Sequence, residues 1–164
     1  MKLLRCAIYC ASAGIVGFIF GRLISKCRIK PDKGLFRCFP FEKSGTLYEK
    51  LNIHKWQKKV PDMSRILPFL MPPKNLSGKY ADRLPIMIQE TCVAELTHIV
   101  VSLLGLHCLR IWPGIGGIAV TAAFILILNV PYILIQRYNR PRLIRLQQKL
   151  LSRKSKKEEC VCVS

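Results

Sequence analysis

Apolar residues fall in three long blocks along this chain, with polar residues filling the gaps between them. Cys6 to Gly21 carries no charge and follows Lys2 and Arg5. A second block begins near Cys92 within Pro85–Leu109, a stretch that reads as one helix. Ile115 to Gln136 is the clearest span, about twenty residues, which matches the hydrocarbon core of a bilayer. Trp112-Pro113-Gly114 separates the last two blocks: the tryptophan suits a membrane interface, and the proline and glycine suit a reversal. The pattern predicts an all-α, small integral membrane protein. An N-terminal anchor helix is followed by a transmembrane helical hairpin with interfacial amphipathic helices.

Four segments follow. Residues 1–25 form an N-terminal transmembrane anchor or signal-like segment. Ala11-Ser12-Ala13 lies mid-run, an awkward cleavage point, and a basic cluster (Arg22, Lys26, Arg28, Lys30) follows, so a retained anchor is expected. Ala13, Gly17 and Gly21 recur every four residues, the spacing of close helix packing in lipid. Residues 26–84 form a basic cytoplasmic or interfacial region. Within it a helix starts at Ser44, with Leu47, Leu51 and Trp56 as an apolar stripe beside lysines. Residues 85–136 form the hairpin, with a kink expected at Pro131. Residues 137–164 form a second basic amphipathic helix, starting after Pro141 and fading into a disordered tail.

Charge sharpens this picture. The chain has 164 residues, is 51% hydrophobic and carries a formal net charge of +18. Of its 27 Lys and Arg, 15 lie in residues 22–89 and 9 in residues 137–164, while Arg110 alone falls between Glu90 and Gln136. Basic residues that flank apolar spans suit anionic lipid headgroups rather than nucleic acid, and no nucleic-acid partner is expected. The positive-inside rule places the 22–89 loop and the tail in the cytoplasm, and the Trp112 turn outside. The localisation expected is a cell membrane, crossed several times. The eight cysteines lack zinc-finger spacing and form no evident disulfide framework, and Cys162 is third from the end, which excludes a prenylation box.

The candidate chemistry lies in polar residues at membrane depth, where such groups are costly. Thr91, Glu95, His98 and Ser102 are spaced 4, 3 and 4 apart, which puts them on one helix face. Asn129, Gln136 and Arg140 share a face of the next span. His98 is fifteen residues before Pro113 and Asn129 sixteen after it, so folding the hairpin there brings the two polar stripes level. At 1.5 Å per residue both sit about 10 Å below the cytoplasmic ends of their spans. Glu95 beside His98 would orient the imidazole as a general base for a hydroxyl attacking an activated acyl group. Asn129 or a nearby amide would donate to the oxyanion. Arg137, Arg140 and Arg142 would hold a phosphate or carboxylate at the surface, with Gln136, Tyr138 and Asn139 completing the substrate-binding set. No metal site is expected, since a di-metal bundle needs further carboxylates and a second Glu-x-x-His. The same stripe also fits a second reading: a non-enzymatic membrane assembly protein, partner of a lipid- or pigment-synthesising complex, with polar residues that only hold helices together.

Several runs carry a resemblance. These are Phe41-Glu42-Lys43-x-Gly45, Tyr48-Glu49-Lys50-Leu51, Lys55-Trp56 with Pro61-Asp62, and Glu90-Thr91-x-x-Ala94-Glu95-Leu96-Thr97-His98. Above all they include Asn129-Val130-Pro131 with Gln136-Arg137-Tyr138-Asn139-Arg140-Pro141-Arg142-Leu143. Over residues 36–62 and 83–147 the chain resembles the glycosyl-4,4′-diaponeurosporenoate acyltransferase family of small bacterial membrane proteins. The resemblance implies transfer of a fatty acyl group to a sugar hydroxyl of a glycosylated C30 carotenoid acid or related glycolipid, the last step to a staphyloxanthin-like pigment. It implies no bound cofactor, only an activated fatty acyl donor as co-substrate. Glu95 and His98 as the catalytic pair rest on the helical spacing alone.

Overall fold

The computed structural model describes residues 1–25, 27, 29–31, 33–40, 42, 46–60 and 80–162, and among them every regular element is helical. Three helical stretches are long and apolar enough to cross a membrane: Lys2–Ile24, Arg83–Ile111 and Ile115–Arg153. The chain divides into two compact units. The first comprises residues 1–37 and 89–137, the second residues 38–88 and 138–164.

In the first unit, α1 (Lys2–Ile24) buries Cys6, Ala13, Gly17 and Gly21 on one face. Its other faces expose Leu4, Ile8, Ile15 and Ile19. The small residues let a second helix come close. A Cβ at Gly17 would lie 2.2 Å from Val101 Cγ2, and one at Gly21 would lie 2.7 Å from Thr97 Oγ1. Both neighbours belong to α4 (Tyr80–Gly105). Gly17→Val is therefore expected to cost about 1–3 kcal/mol by overpacking a stiff neighbour. Gly14→Ala, where a Cβ meets nothing within 4 Å, serves as the neutral control. Thermal unfolding of the two variants in detergent checks this, and equal midpoints would contradict close packing at Gly17.

The chain segment after α1 is fastened to the same unit. Gln89 Nε2 donates to the carbonyls of Ser25 (2.9 Å) and Cys27 (2.6 Å). Beyond α4 a one-turn helix, α5 (Cys108–Ile111), leads into Trp112. Gly114 then turns the chain at φ 104°, a conformation that excludes side chains with a Cβ, and α6 (Ile115–Leu128) begins. The second long stretch therefore ends differently from the single Pro85–Leu109 helix expected: α4 stops at Gly105 and α5 caps the turn. Pro85 lies inside α4 near its start, where little of the hydrogen-bond ladder precedes it.

The Pro131 kink takes the form of a break. α6 ends at Leu128, Asn129 leaves helical geometry (φ −121°, ψ −48°), and α7 (Val130–Cys162) restarts at once. Pro131 has no N–H for the Ile127 carbonyl, so the ladder must open near it. The Asn129 and Ile133 amides still donate to the Ile125 and Asn129 carbonyls, at 3.1 and 3.2 Å, and hold the two helices end to end.

In the second unit, the helix expected to run from Ser44 to Trp56 is two short ones, α2 (Thr46–Lys50) and α3 (Ile53–Trp56). Asn52 divides them in the left-handed conformation (φ 52°), which asparagine tolerates better than most residues. Ser44 lies outside the described residues. The expected stripe also shifts: Tyr48 and Ile53 are buried, while Leu47 and Leu51 are exposed. Glu42 organises this region by accepting bonds from the Phe39 amide (2.9 Å) and the Tyr48 hydroxyl. α7 runs unbroken through Pro141 to Cys162, where a fresh start after Pro141 and a disordered tail were expected. A proline removes one bond and bends a helix without ending it when its neighbours are strong formers. The Arg, Leu, Gln and Lys residues that follow Pro141 are such formers.

Candidate active site

Two polar pairs lie inside the first unit, each joining α4 to the chain after α6. In the first, His98 Nδ1 and Asn129 Oδ1 are 3.0 Å apart. In the second, Arg137 Nε donates to Glu95 Oε1 at 2.7 Å. Glu95 and His98 are one turn apart on α4, as the spacing requires, and their partners lie on the opposite arm. The hairpin register thus sets 98 against 129, and the long Arg137 side chain reaches back along its helix to 95. Glu95, His98, Asn129 and Arg137 each find a partner at depth, which is how such groups are tolerated in a low-dielectric interior.

The Asn129 side chain fixes more than position. Its Nδ2 donates to the Phe124 carbonyl at 2.9 Å, and a carbonyl only accepts. That contact sets which end of the amide faces which neighbour, so Oδ1 points at the imidazole. Oδ1 accepts only, hence the hydrogen of neutral His98 sits on Nδ1 and the basic lone pair sits on Nε2. The break that Pro131 forces at Asn129 lets the amide reach both groups. Asn129 is almost fully buried, at 2% exposure, so its bond to the Phe124 carbonyl is shielded from water, while the His98 ring beside it is half-buried.

Tyr132 completes the setting of the ring. It stacks on His98 with centroids 4.6 Å apart and planes 9° from parallel. Hydrogen bond and stack together leave the imidazole little freedom to rotate. Tyr132 escaped the sequence reading, although it lies three residues after Asn129 and so shares its helix face. An aromatic residue in an apolar span carries no polar contrast, which hid it. Ser102 Oγ donates back to the His98 carbonyl at 2.7 Å. Ser102 thus satisfies its own turn, as hydroxyls in apolar helices commonly do.

The sequence paired Glu95 with His98. In the structure His98 Nδ1 is held by Asn129, and Glu95, fully buried, holds Arg137. A second arm of Arg137, Nη2, donates to the Leu35 carbonyl at 2.7 Å. The guanidinium therefore links the α4 carboxylate to the short 3-10 turn Gly34–Phe36. Gln136 is half-buried beside it in sequence.

The other predicted residues belong to the second unit. Tyr138 and Arg140 are buried, Asn139 is half-buried and Arg142 is exposed. Arg142 donates to the Tyr138 hydroxyl and lies over that ring, 4.8 Å from its centroid. This is a cation–π contact one helical turn apart, a pairing internal to α7.

Comparison with known proteins bears on both arms. The sequence profile of the glycosyl-4,4′-diaponeurosporenoate acyltransferase family matches residues 32–149. The glycosyl-4,4′-diaponeurosporenoate acyltransferase of Staphylococcus aureus strain Newman is 32% identical over 126 residues, which cover 76% of this chain and 74% of the relative. The protein of the same name from strain USA300 gives the same identity and coverage. No solved structure matches.

Proposed function

Because this chain belongs to the glycosyl-4,4′-diaponeurosporenoate acyltransferase family, we propose that it esterifies a sugar hydroxyl of a glycosylated carotenoid acid, or a related glycolipid, with a fatty acyl group. The reaction takes place within the bilayer. The observation that carries this reading is the family match across residues 32–149, which contains both members of the His98–Asn129 pair.

In this mechanism Nε2 of His98 takes the proton from the sugar hydroxyl as its oxygen attacks the acyl carbonyl. The tetrahedral intermediate collapses, the bond to the leaving group breaks, and His98 returns the proton to that group. The donor enters as an activated acyl co-substrate, with no bound cofactor required. Asn129 holds the tautomer that leaves Nε2 basic, and Tyr132 holds the plane of the ring. Both substrates are largely hydrocarbon, so a site at membrane depth meets them where they dissolve. Arg137 and Gln136 stand toward the water-facing end of the same arm, suited to the polar sugar. The exposed apolar faces of α1 and α6 meet lipid tails. The basic segments contact anionic headgroups on the cytoplasmic side, which places the Trp112 turn outside.

The test is expression in a bacterium that makes the glycosylated C30 carotenoid acid and lacks the final acylation. Mass spectrometry of extracted lipids is expected to show the glycoside converted to a species heavier by one fatty acyl ester. An unchanged glycoside, with the protein present in the membrane fraction, would count against this substrate. A different acylated glycolipid in the same extract would redirect the assignment to it.

A further inference from the structure

Three cysteines from distant parts of the sequence meet in the first unit, away from the polar pairs. Cys6 and Cys10 lie on the first half of α1, and Cys108 opens α5 at the hairpin turn. The Cys10 and Cys108 sulfurs are 3.5 Å apart. Cys6 and Cys108 each place their sulfur 4.0 Å from the other's backbone carbonyl. Cys6 and Cys108 are fully buried, while Cys10 is partly accessible. The surroundings hold these residues in place: the Tyr9 hydroxyl donates to the Leu104 carbonyl at 3.1 Å, and its ring lies 5.1 Å from that of His107. α1 is thus tied to the turn immediately before Cys10, through Cys6 and Tyr9.

We propose that Cys10 and Cys108 are a modification site: a thiol pair that closes into a disulfide and fastens α1 covalently to the hairpin turn. A disulfide needs its sulfurs about 2 Å apart. The sulfurs, 3.5 Å apart, have about 1.5 Å left to close, a movement on the scale of a side-chain rotation. The partly accessible Cys10 is the point of entry. Its thiolate attacks a disulfide oxidant, releasing one thiol and leaving a mixed disulfide on Cys10. Cys108 then attacks the Cys10 sulfur and releases the second thiol. One external disulfide is reduced to two thiols, two protein thiols are oxidised, and their two protons leave with the released groups. Cys10 rather than Cys6 is the partner assigned, because its sulfur lies 3.5 Å from that of Cys108 and is partly accessible, whereas Cys6 is fully buried. The supply of oxidant in the cell rests on the orientation proposed above, which puts the turn on the outer, oxidising side. The pairing itself rests only on the packing of α1 against α5.

Two measurements separate those premises. Purified full-length protein is treated with an aromatic disulfide oxidant, alkylated and digested. Peptides joined through Cys10 and Cys108 are expected in most of the protein. The link should be lost in Cys10→Ser and in Cys108→Ser but kept in Cys6→Ser. Separate adducts on Cys10 and Cys108, or a link running through Cys6, would overturn the proposal. In parallel, a membrane-impermeant maleimide is applied to intact cells after reduction, and its capture by Cys10 reports which side the pair faces. Closure in detergent with no labelling from outside would reject the orientation and leave the thiol pairing intact.

Discussion

Replacing His98 with alanine is expected to lower acyl transfer by about 10²–10⁴-fold, the usual contribution of a positioned general base. That range corresponds to about 3–5 kcal/mol on the barrier. The fold should survive. The lost contact is one hydrogen bond to Asn129 and one stack on Tyr132. Polar contacts between helices in a membrane average about 0.6 kcal/mol. The effect on rate and the effect on stability thus differ several-fold, and one experiment can separate them. Product formed per unit of membrane-inserted protein is the measurement, with thermal unfolding beside it. Asn129→Ala tests the same idea one step removed, because it frees the imidazole to rotate and to exchange tautomers. Its expected loss is about 10²-fold, the scale set by a small misplacement of a reacting group. A His98→Ala variant that folds normally and makes product at the parent rate would remove the base from the mechanism. The polar stripe would then be helix glue alone.

Much of this site was legible before any coordinates, for a specific reason. A hairpin with a short turn has a register that follows from counting residues, so the pairing of His98 with Asn129 came from their distances to Pro113. The 3.6-residue period put Glu95 and His98 on one face. Counting does not say which of two neighbours a side chain turns toward. Glu95 and His98 are adjacent on α4, yet each reaches across to the other arm, because two partners on one helix would leave Arg137 and the Asn129 amide unpaired at depth. Cross-arm satisfaction is a property of the packed pair and has no signature on one strand of sequence. The same limit explains Tyr132 and the thiol pair. An aromatic or a cysteine within an apolar block looks like core until a neighbour is placed beside it. The helix ends were harder still. The left-handed turn at Asn52 depends on burying Tyr48 and Ile53 together, and the passage of α7 through Pro141 depends on strong formers beyond it.

Glu95→Ala and Arg137→Ala are each expected to destabilise the protein by about 3–5 kcal/mol, the cost of stranding one charge of a buried pair. Glu95 is fully buried and the Arg137 side chain is 11% exposed, so neither charge can recover its hydration where it stands. The double variant Glu95→Leu/Arg137→Met should regain most of that loss, since apolar side chains of similar volume remove both charges together. Unfolding midpoints in detergent report this directly, and single variants as stable as the parent would show that the pair is open to water. Activity of the double variant then asks a separate question. Arg137 also donates to the Leu35 carbonyl, so it fixes the segment after α1 as well as the carboxylate. If Arg137 meets the sugar or donor, the double variant folds but transfers little. If its task is only to neutralise Glu95 and fasten Leu35, the refolded double variant keeps its rate within a fewfold. The geometry favours loss of transfer: a guanidinium with one arm on a carboxylate and another on a carbonyl is held rigid. Under the mechanism proposed above, such a rigid cation would orient a polar headgroup for the reacting hydroxyl.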